Sequence, residues 1–355
     1  MTKARKLRSR KAGLPPGSLV HIGEVKTATP TVTLIDYDTD KLSETTLPDI
    51  SSLAARGKSH GIRWANFYGI KDPADLLAVA RQFDLHPLVQ EDILNNAQRQ
   101  KIDAYDDYLY VVLHRYELGG RTLELVQDQI SLIIGRQSLL SFQERPSRTF
   151  EPVRQSLRSE RSSLRRSGVD MLAYSLLDAV VDSYFAIIEQ LNEHAETLEQ
   201  QILGRPKPSA LQGIHQLKRC VSQLRRNLYP LREVVANLNR DSTGFFSADV
   251  RLYLRDVYDH IVHILESLED LRELATGLLD VYLSTVSHRV NLEVRALTVV
   301  ATVFMPATLI AGIFGMNFRE MPWLADAGGF YYAIALMGLI AGCMLFIIWQ
   351  RKRKN

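Results

Sequence analysis

Two stretches without a charged residue, Ala296–Phe314 and Gly328–Trp349, constrain this 355-residue chain more than any other feature. Each matches the roughly 20 residues that cross about 30 Å of hydrocarbon as a helix. A short connection containing Gly315-Met316-Asn317 separates them, so they read as a helical hairpin through a membrane. Lys and Arg collect at the cytoplasmic ends of spans. Arg351-Lys352-Arg353-Lys354 follow the second stretch, which predicts a two-pass protein of the cell (inner) membrane with both termini cytoplasmic. The connection, whose charges are Arg319, Glu320 and Asp326, then faces out.

The rest must be a soluble body, because mean hydropathy over the whole chain is close to neutral. A net charge of +3 gives no grounds for a nucleic-acid partner. Cys220 and Cys343, the two cysteines, form no framework and have no metal-ligand spacing, which fits a reducing cytosol. Six basic residues between Lys3 and Lys11 lack the apolar segment of a secretory signal. They read as a solubilising arm, or as one that touches anionic lipid or a partner. Arg56-Gly57-Lys58-Ser59 resembles the end of a phosphate loop, but Ser52 stands where its first glycine belongs, so no nucleotide is expected. No nucleophile–base pair, metal-hydrolase spacing or glycine-rich loop argues for an enzyme.

Organisation follows from composition and periodicity. Residues 1–18 are the basic arm, and 19–150 are rich in β-branched and aromatic runs. Strands are predicted at Leu19–Glu24, Thr31–Asp36, Ile62–Tyr68, Tyr108–Tyr116, Leu123–Ile134 and Leu139–Phe142, with helices at Asp72–Phe83 and His86–Asn95. That mixture predicts a cytosolic α/β domain on one mixed sheet. Residues 151–245 read as a helical hairpin, helical from Val153 to Leu203 and from Ala210 to Leu238. Residues 246–314 read as one long stalk helix that becomes the first span at about 293–314. Then come the external loop 315–328, the second span 329–350 and the basic tail 351–355.

The stalk carries apolar residues at Val257, Ile261, Ile264, Leu268, Leu271, Leu274, Leu278 and Val281. A continuous helix of this length measures on the order of 100 Å. It needs neighbours to be stable in water, either upstream helices or other copies of itself.

Steps of four and three from Asp280 reach Ser284, Ser287, Asn291, Val294, Thr298, Ala301, Met305, Thr308 and Gly312. This seven-residue repeat is the register of a left-handed bundle. Two readings fit the stripe. Small and hydroxylated residues pack membrane helices together. Alternatively, several copies line a conduit, with Asn291, Thr308 and Asn317 as rings of neutral oxygens and Val294, Leu297 and Met305 as apolar narrowings that gate by dewetting. Two spans cannot enclose a channel, so the second reading requires an oligomer.

The order Met305-Pro306, Thr308, Gly312, Gly315-Met316-Asn317, Met321-Pro322, second span and basic tail resembles the CorA family of divalent-cation (magnesium/cobalt) channels. The likeness extends to Tyr282-Leu283-Ser284 and to His86–Asn95. It implies a homopentameric funnel: long helices around one axial pore, second spans outside, membrane lipid around them. It also implies pore residues Asn317, Gly315, Met316, Gly312, Thr308 and Asn291, and a gate at Val294, Leu297 and Met305. Magnesium sheds water reluctantly and prefers octahedral oxygen, so neutral oxygens hold its hydrated form without trapping it. The family further implies regulatory Mg²⁺ between subunits at acidic residues, here Asp92 opposite Asp280, with Glu91, Asp178 and Asp256 as a second group. Co²⁺ is a further expected cargo. Two departures stand out: Val294 is smaller than the large apolar residue expected at the inner gate, and Arg319 replaces what is often an acid in the loop.

Other readings remain open at the level of sequence. A zinc transporter of the same superfamily, with or without proton coupling, would share the tripeptide. His260 and His263, three apart, are a weaker metal pair, and a membrane-tethered scaffold would have no use for the polar stripe.

Overall fold

The computed structural model describes residues 15, 17–23, 26–27, 29–47, 49–53, 61–96, 98–120, 123–204, 206–240, 244–316 and 328–354. The basic arm up to residue 14, Arg56–Ser59, and the loop with Asn317, Arg319, Glu320 and Asp326 lie outside the described residues.

Seven strands form one sheet in the order β2-β1-β3-β7-β6-β5-β4. They are β1 (Thr31–Tyr37), β2 (Leu42–Leu47), β3 (Ile62–Tyr68), β4 (Lys101–Ala104), β5 (Tyr108–Gly119), β6 (Glu124–Gly135) and β7 (Ser138–Gln143). The β3–β7 pair is parallel, with Ala65 opposite Leu140, and the other pairs are antiparallel. The sheet is therefore mixed, as the sequence predicts.

Both faces are covered, which explains why β3, β5 and β6 are buried in long unbroken runs rather than at alternate residues. On one face Val32, Ala65, Phe67, Leu140 and Phe142 pack against α1 (Pro73–Phe83) and α2 (Pro87–Ile93) through Leu76, Val79 and Val89. Asp72 caps α1 by accepting from the Ala74 amide. On the other face Trp64 meets Phe150 edge-on at 6.0 Å, at the start of α3 (Glu151–Arg158). There α4 (Val169–Gly204) is fastened to β5 by Tyr184, fully buried, whose hydroxyl donates to the His114 carbonyl.

Next come α5 (Pro208–Asn239), α6 (Ala248–Phe314) and α7 (Gly329–Lys354). Gly213 lets α5 approach α4, since a Cβ there would sit 2.6 Å from Leu198 Cδ2. The 67 residues of α6 form one helix. Its buried residues are Val250, Leu254, Val257, Ile261, Ile264, Leu268, Leu271, Ala275, Leu278 and Tyr282, a four–three alternation, with Leu265 beside it. After Tyr282 no residue of α6 is buried. The chain divides into two compact units, one of residues 1–200 and 208–278, the other of 201–207 and 279–355.

Several predictions from sequence need correction. Leu19–Glu24 is not a strand over its described part: Ile22 makes a single bridge to Asn95, beside the end of α2, and Glu24 lies outside the described residues. Strands β2 and β4 were not predicted, because both are short, polar edge strands. The stretch from Val153 to Leu203 is broken between Arg158 and Val169. There Ser162 accepts from the Leu164 amide and pairs with Ser156, serine bonds that compete with helix. Leu274 and Val281 are exposed, and the buried register runs through Ala275 and Tyr282 instead. The basic tail is the last turn of α7 as far as Lys354.

Among the described residues three helices, not two, are long and apolar enough to cross a membrane: α4, α6 and α7. Half of the apolar stretch of α4 is buried, against none of that in α6 and 6% of that in α7. The apolarity of α4 is accounted for by the core it helps to form.

Removing the Tyr184 hydroxyl deletes a buried bond between α4 and the sheet. Tyr184→Phe is expected to cost about 1 kcal/mol, read as an earlier urea midpoint with an unchanged slope.

Candidate cation sensor and conduction face

The acids singled out from sequence lie on three helices, α2, α4 and α6. Glu91 and Asp92 are carried by α2, which begins at Pro87 with His86 as N-cap. The Asp92 carbonyl accepts from Gln129 Nε2 at 2.9 Å. Gln129 is itself held through its amide by Glu144 at 2.6 Å, and Lys26 bridges Glu144 and Asp128 at 2.9 and 2.7 Å. The sheet thus fixes the backbone at Asp92. Its side chain pairs with Lys101 at 2.8 Å. Burial nevertheless holds the Asp92 carboxyl above its ordinary range, outweighing Lys101. Glu91 Oε2 accepts from the Gly17 amide at 2.6 Å.

A second cluster forms between α4 and α6. Ligand atoms of Asp178, Asp182 and His260 all lie within 4.8 Å of one another. Asp256 Oδ2 stands 3.7 Å from His260 Nε2, so the predicted pair Asp178 and Asp256 flanks one imidazole. Asp178 Oδ1 is buried without a hydrogen-bond partner, while Tyr174 donates to Oδ2 at 3.4 Å. Burial first, and Asp182 second, raise the Asp178 carboxyl, with His260 opposing them. These are groups that a cation would relieve. Two carboxylates and an imidazole suit cobalt, nickel or zinc as well as magnesium.

Sequence reasoning missed Asp182 and did not place His260 in this group. His260 and His263 both pack on Phe185, at 5.7 and 6.2 Å between ring centroids. A signal existed: Asp182 follows Asp178, and His260 follows Asp256, by four, so each pair shares a helix face. The register between α4 and α6 was what spacing could not supply. Asp280 is exposed and makes no ion pair among the described residues.

All ten stripe positions from Asp280 to Gly312 are exposed. Val299, Thr302, Val303, Pro306, Ala307, Ile310 and Phe314, on the opposite side at 3.6 residues per turn, are half-buried. Arg295, Thr298, Val299 and Thr302 share a groove with Met344, Ile347 and Ile348 of α7, which marks the face that α6 turns toward α7. Apart from Thr298, which lines that groove, the stripe therefore looks away from α7. Val294, Leu297 and Met305 are 55, 70 and 69% exposed. Met305, Thr308, Gly312 and Met316 line a shallow concavity of about 490 Å³.

Thr298 and Thr308 donate their hydroxyl protons to the Val294 and Phe304 carbonyls, at 2.8 and 2.9 Å. Each oxygen then has only lone pairs to offer, which suits the outward-pointing protons of a hydrated cation. Past the helix end the Gly315 and Met316 amides bond back to Ala311 and Ile313. Asn317 lies outside the described residues. In the same register upstream, Asp259, Glu266, Asp270 and Glu273 are exposed and make no ion pair among the described residues.

A family model described as CorA-like Mg²⁺ transporter protein matches residues 59–353. This chain belongs to the CorA family. It is similar, at 39% identity over 98% of both chains, to the cobalt/magnesium transport protein CorA of Thermotoga maritima. Its fold resembles the solved CorA magnesium transporter of Methanocaldococcus jannaschii, with a TM-score of 0.75 and 20% identity over 90% of this chain and 97% of that one. It also resembles the ZntB cytoplasmic domain of Vibrio parahaemolyticus, with a TM-score of 0.60 and 12% identity over 74% of this chain and all of that one.

The raised Asp178 carboxyl has a consequence for stability. Between the ordinary carboxylate value of about 4 and its raised value, the folded chain holds more protons here than the unfolded one. Stability therefore falls as pH rises through that window. Asp178→Asn is expected to remove this loss in metal-free buffer and to abolish stabilisation by added divalent cation at this site. Thermal unfolding against pH, with and without Co²⁺, checks both.

Proposed function

We propose that this CorA-family chain assembles as a homopentamer, with α6 and α7 as its two spans and both ends cytoplasmic, and conducts Mg²⁺ inward. Co²⁺ is a second cargo. The observation that carries the reading is the unbroken exposed face of α6. It bears the neutral oxygens of Asn291 and Thr308 and, apart from Thr298, turns away from α7. Five such faces around an axis would give a lumen whose oxygens hold an ion with its water shell, with Val294, Leu297 and Met305 as apolar narrowings. Asn317, with Gly315 and Met316, would form the outer mouth. Flow inward needs no ATP, since a dication gains about 4.6 kcal/mol for each roughly 100 mV of inside-negative potential.

Regulation is assigned to the carboxylates. Asp92, Glu91, Asp178, Asp256 and Asp280 hold Mg²⁺ where neighbouring copies meet, which favours the docked, closed funnel when internal magnesium is high. Asp182 and His260 join the Asp178–Asp256 group on the evidence of their spacing. Zinc transport, with or without proton coupling, is the second reading, favoured by the imidazole in that group. Zinc uptake that collapses with the proton gradient would select it.

Ion flux into protein-only vesicles at fixed negative potential tests the main reading. Wild-type protein is expected to carry Mg²⁺ and Co²⁺, and both Asn317→Ala and Thr308→Val to fall toward the rate of empty vesicles. Undiminished flux in the two variants would remove α6 as the pore wall.

A further inference from the structure

The Asp92 carboxylate already holds a cation, and it is part of the protein. Lys101 Nζ lies 2.8 Å from Asp92 Oδ2 and 2.5 Å from Asp103 Oδ2. Lys101 opens β4, and Asp103, two residues on, projects from the same face of that strand. One ammonium therefore bridges a carboxylate on the sheet edge and another on α2. The ring of Tyr110, paired with Asp103 across the ladder, lies 5.7 Å from the ammonium.

The bridge is partly withdrawn from water, with the Asp92, Lys101 and Asp103 side chains 13, 30 and 38% exposed. Asp92 and Asp103 are two carboxylates sharing the one ammonium of Lys101, so the group stays under-compensated. A group of charge +2 would satisfy it better than one of charge +1.

We propose that Lys101 is a tethered competitor for the cation at Asp92: an arriving divalent ion displaces the ammonium, which withdraws onto Asp103 and returns when the ion leaves. This rests on Asp92 being a sensing carboxylate, as assigned above. Asp103 makes the exchange feasible, since the displaced ammonium keeps one carboxylate partner instead of being stranded part-buried. The tether also selects for valence. A monovalent ion brings no more charge than the ammonium it must displace, and the ammonium is held at high effective concentration. The competitor thus raises the magnesium concentration at which the sensor fills and keeps potassium and sodium from filling it.

The test is protection of the full-length protein in detergent against chymotrypsin, titrated with MgCl₂. Lys101→Gln is expected to lower the half-protecting concentration about fivefold and to let concentrated KCl protect in part. Lys101→Arg should behave as wild type. Asp103→Asn, which leaves the ammonium only Asp92, should raise the half-protecting concentration. Lys101→Gln should change nothing further in an Asp92→Asn background, because the effect runs through that carboxylate. If Asp92→Asn abolishes protection but Lys101→Gln leaves the half-point unchanged, or if Lys101→Gln and Asp103→Asn move it the same way, the competitor is overturned and the sensor stands. Protection indifferent to Asp92→Asn overturns the sensing role of Asp92 itself.

Discussion

Most of this molecule depends on α6 keeping one side-chain register along its length. Its buried side follows a four–three alternation from Val250 to Tyr282, the spacing that keeps a seam on one side of a helix. Two residues further round, on the opposite side, the same alternation gives the exposed line from Asp280 to Gly312. Apolar burial on one side of the helix therefore dictates which residues are free on the other. A one-residue insertion between Val250 and Asp280 would rotate the exposed line by about 100° relative to the buried residues before the insertion. No proline or glycine interrupts the buried part except Gly277, which is exposed. Pro306 falls in the apolar segment, where it has no N–H to offer the Thr302 carbonyl, beside the threonines that already bond their own backbone.

The second constraint is electrostatic. Carboxylates are normally cheap on a wet surface, yet Asp92 and Asp178 are held where burial disfavours their charge. Both keep partial compensation, from Lys101 in one case and from His260 in the other. A site that is fully neutralised has no reason to bind an ion, and one that is uncompensated would neutralise itself by taking up a proton. Partial compensation leaves a preference for a dication, the property that the proposed regulation requires. The exposed acids Asp259, Glu266, Asp270 and Glu273 add an attractive field along α6 without such strain.

The sequence carried the two charge-free apolar helices, the stalk and the mixed sheet because each is written in periodicity or in charge-free length. Ile62–Tyr68 and Thr31–Asp36 announce themselves as buried strands. Leu42–Leu47, with Glu44 and its threonines, reads as loop, because an edge strand needs little apolar surface. The seven-residue stripe was legible as far as Gly312, since it requires only counting along one helix. The Asp178–Asp182–His260 group was not, because it depends on how far α4 slides along α6. That offset is set by contacts between the two helices, such as Tyr174 on Tyr253 and Phe185 on His260, at 5.3 and 5.7 Å between ring centroids. The ammonium between Asp92 and Asp103 was hidden for the same reason, since β4 had not been predicted as a strand.

One measurement tests most directly whether the acids control the face of α6. Inward Mg²⁺ flux through reconstituted full-length protein is followed at fixed negative potential while free magnesium on the cytoplasmic side is stepped upward. The expected result is a steep fall in flux as internal magnesium rises, shifted to higher concentrations in Asp178→Asn. Flux that stays proportional to the electrochemical gradient at every internal concentration, with wild type and variant alike, would contradict it.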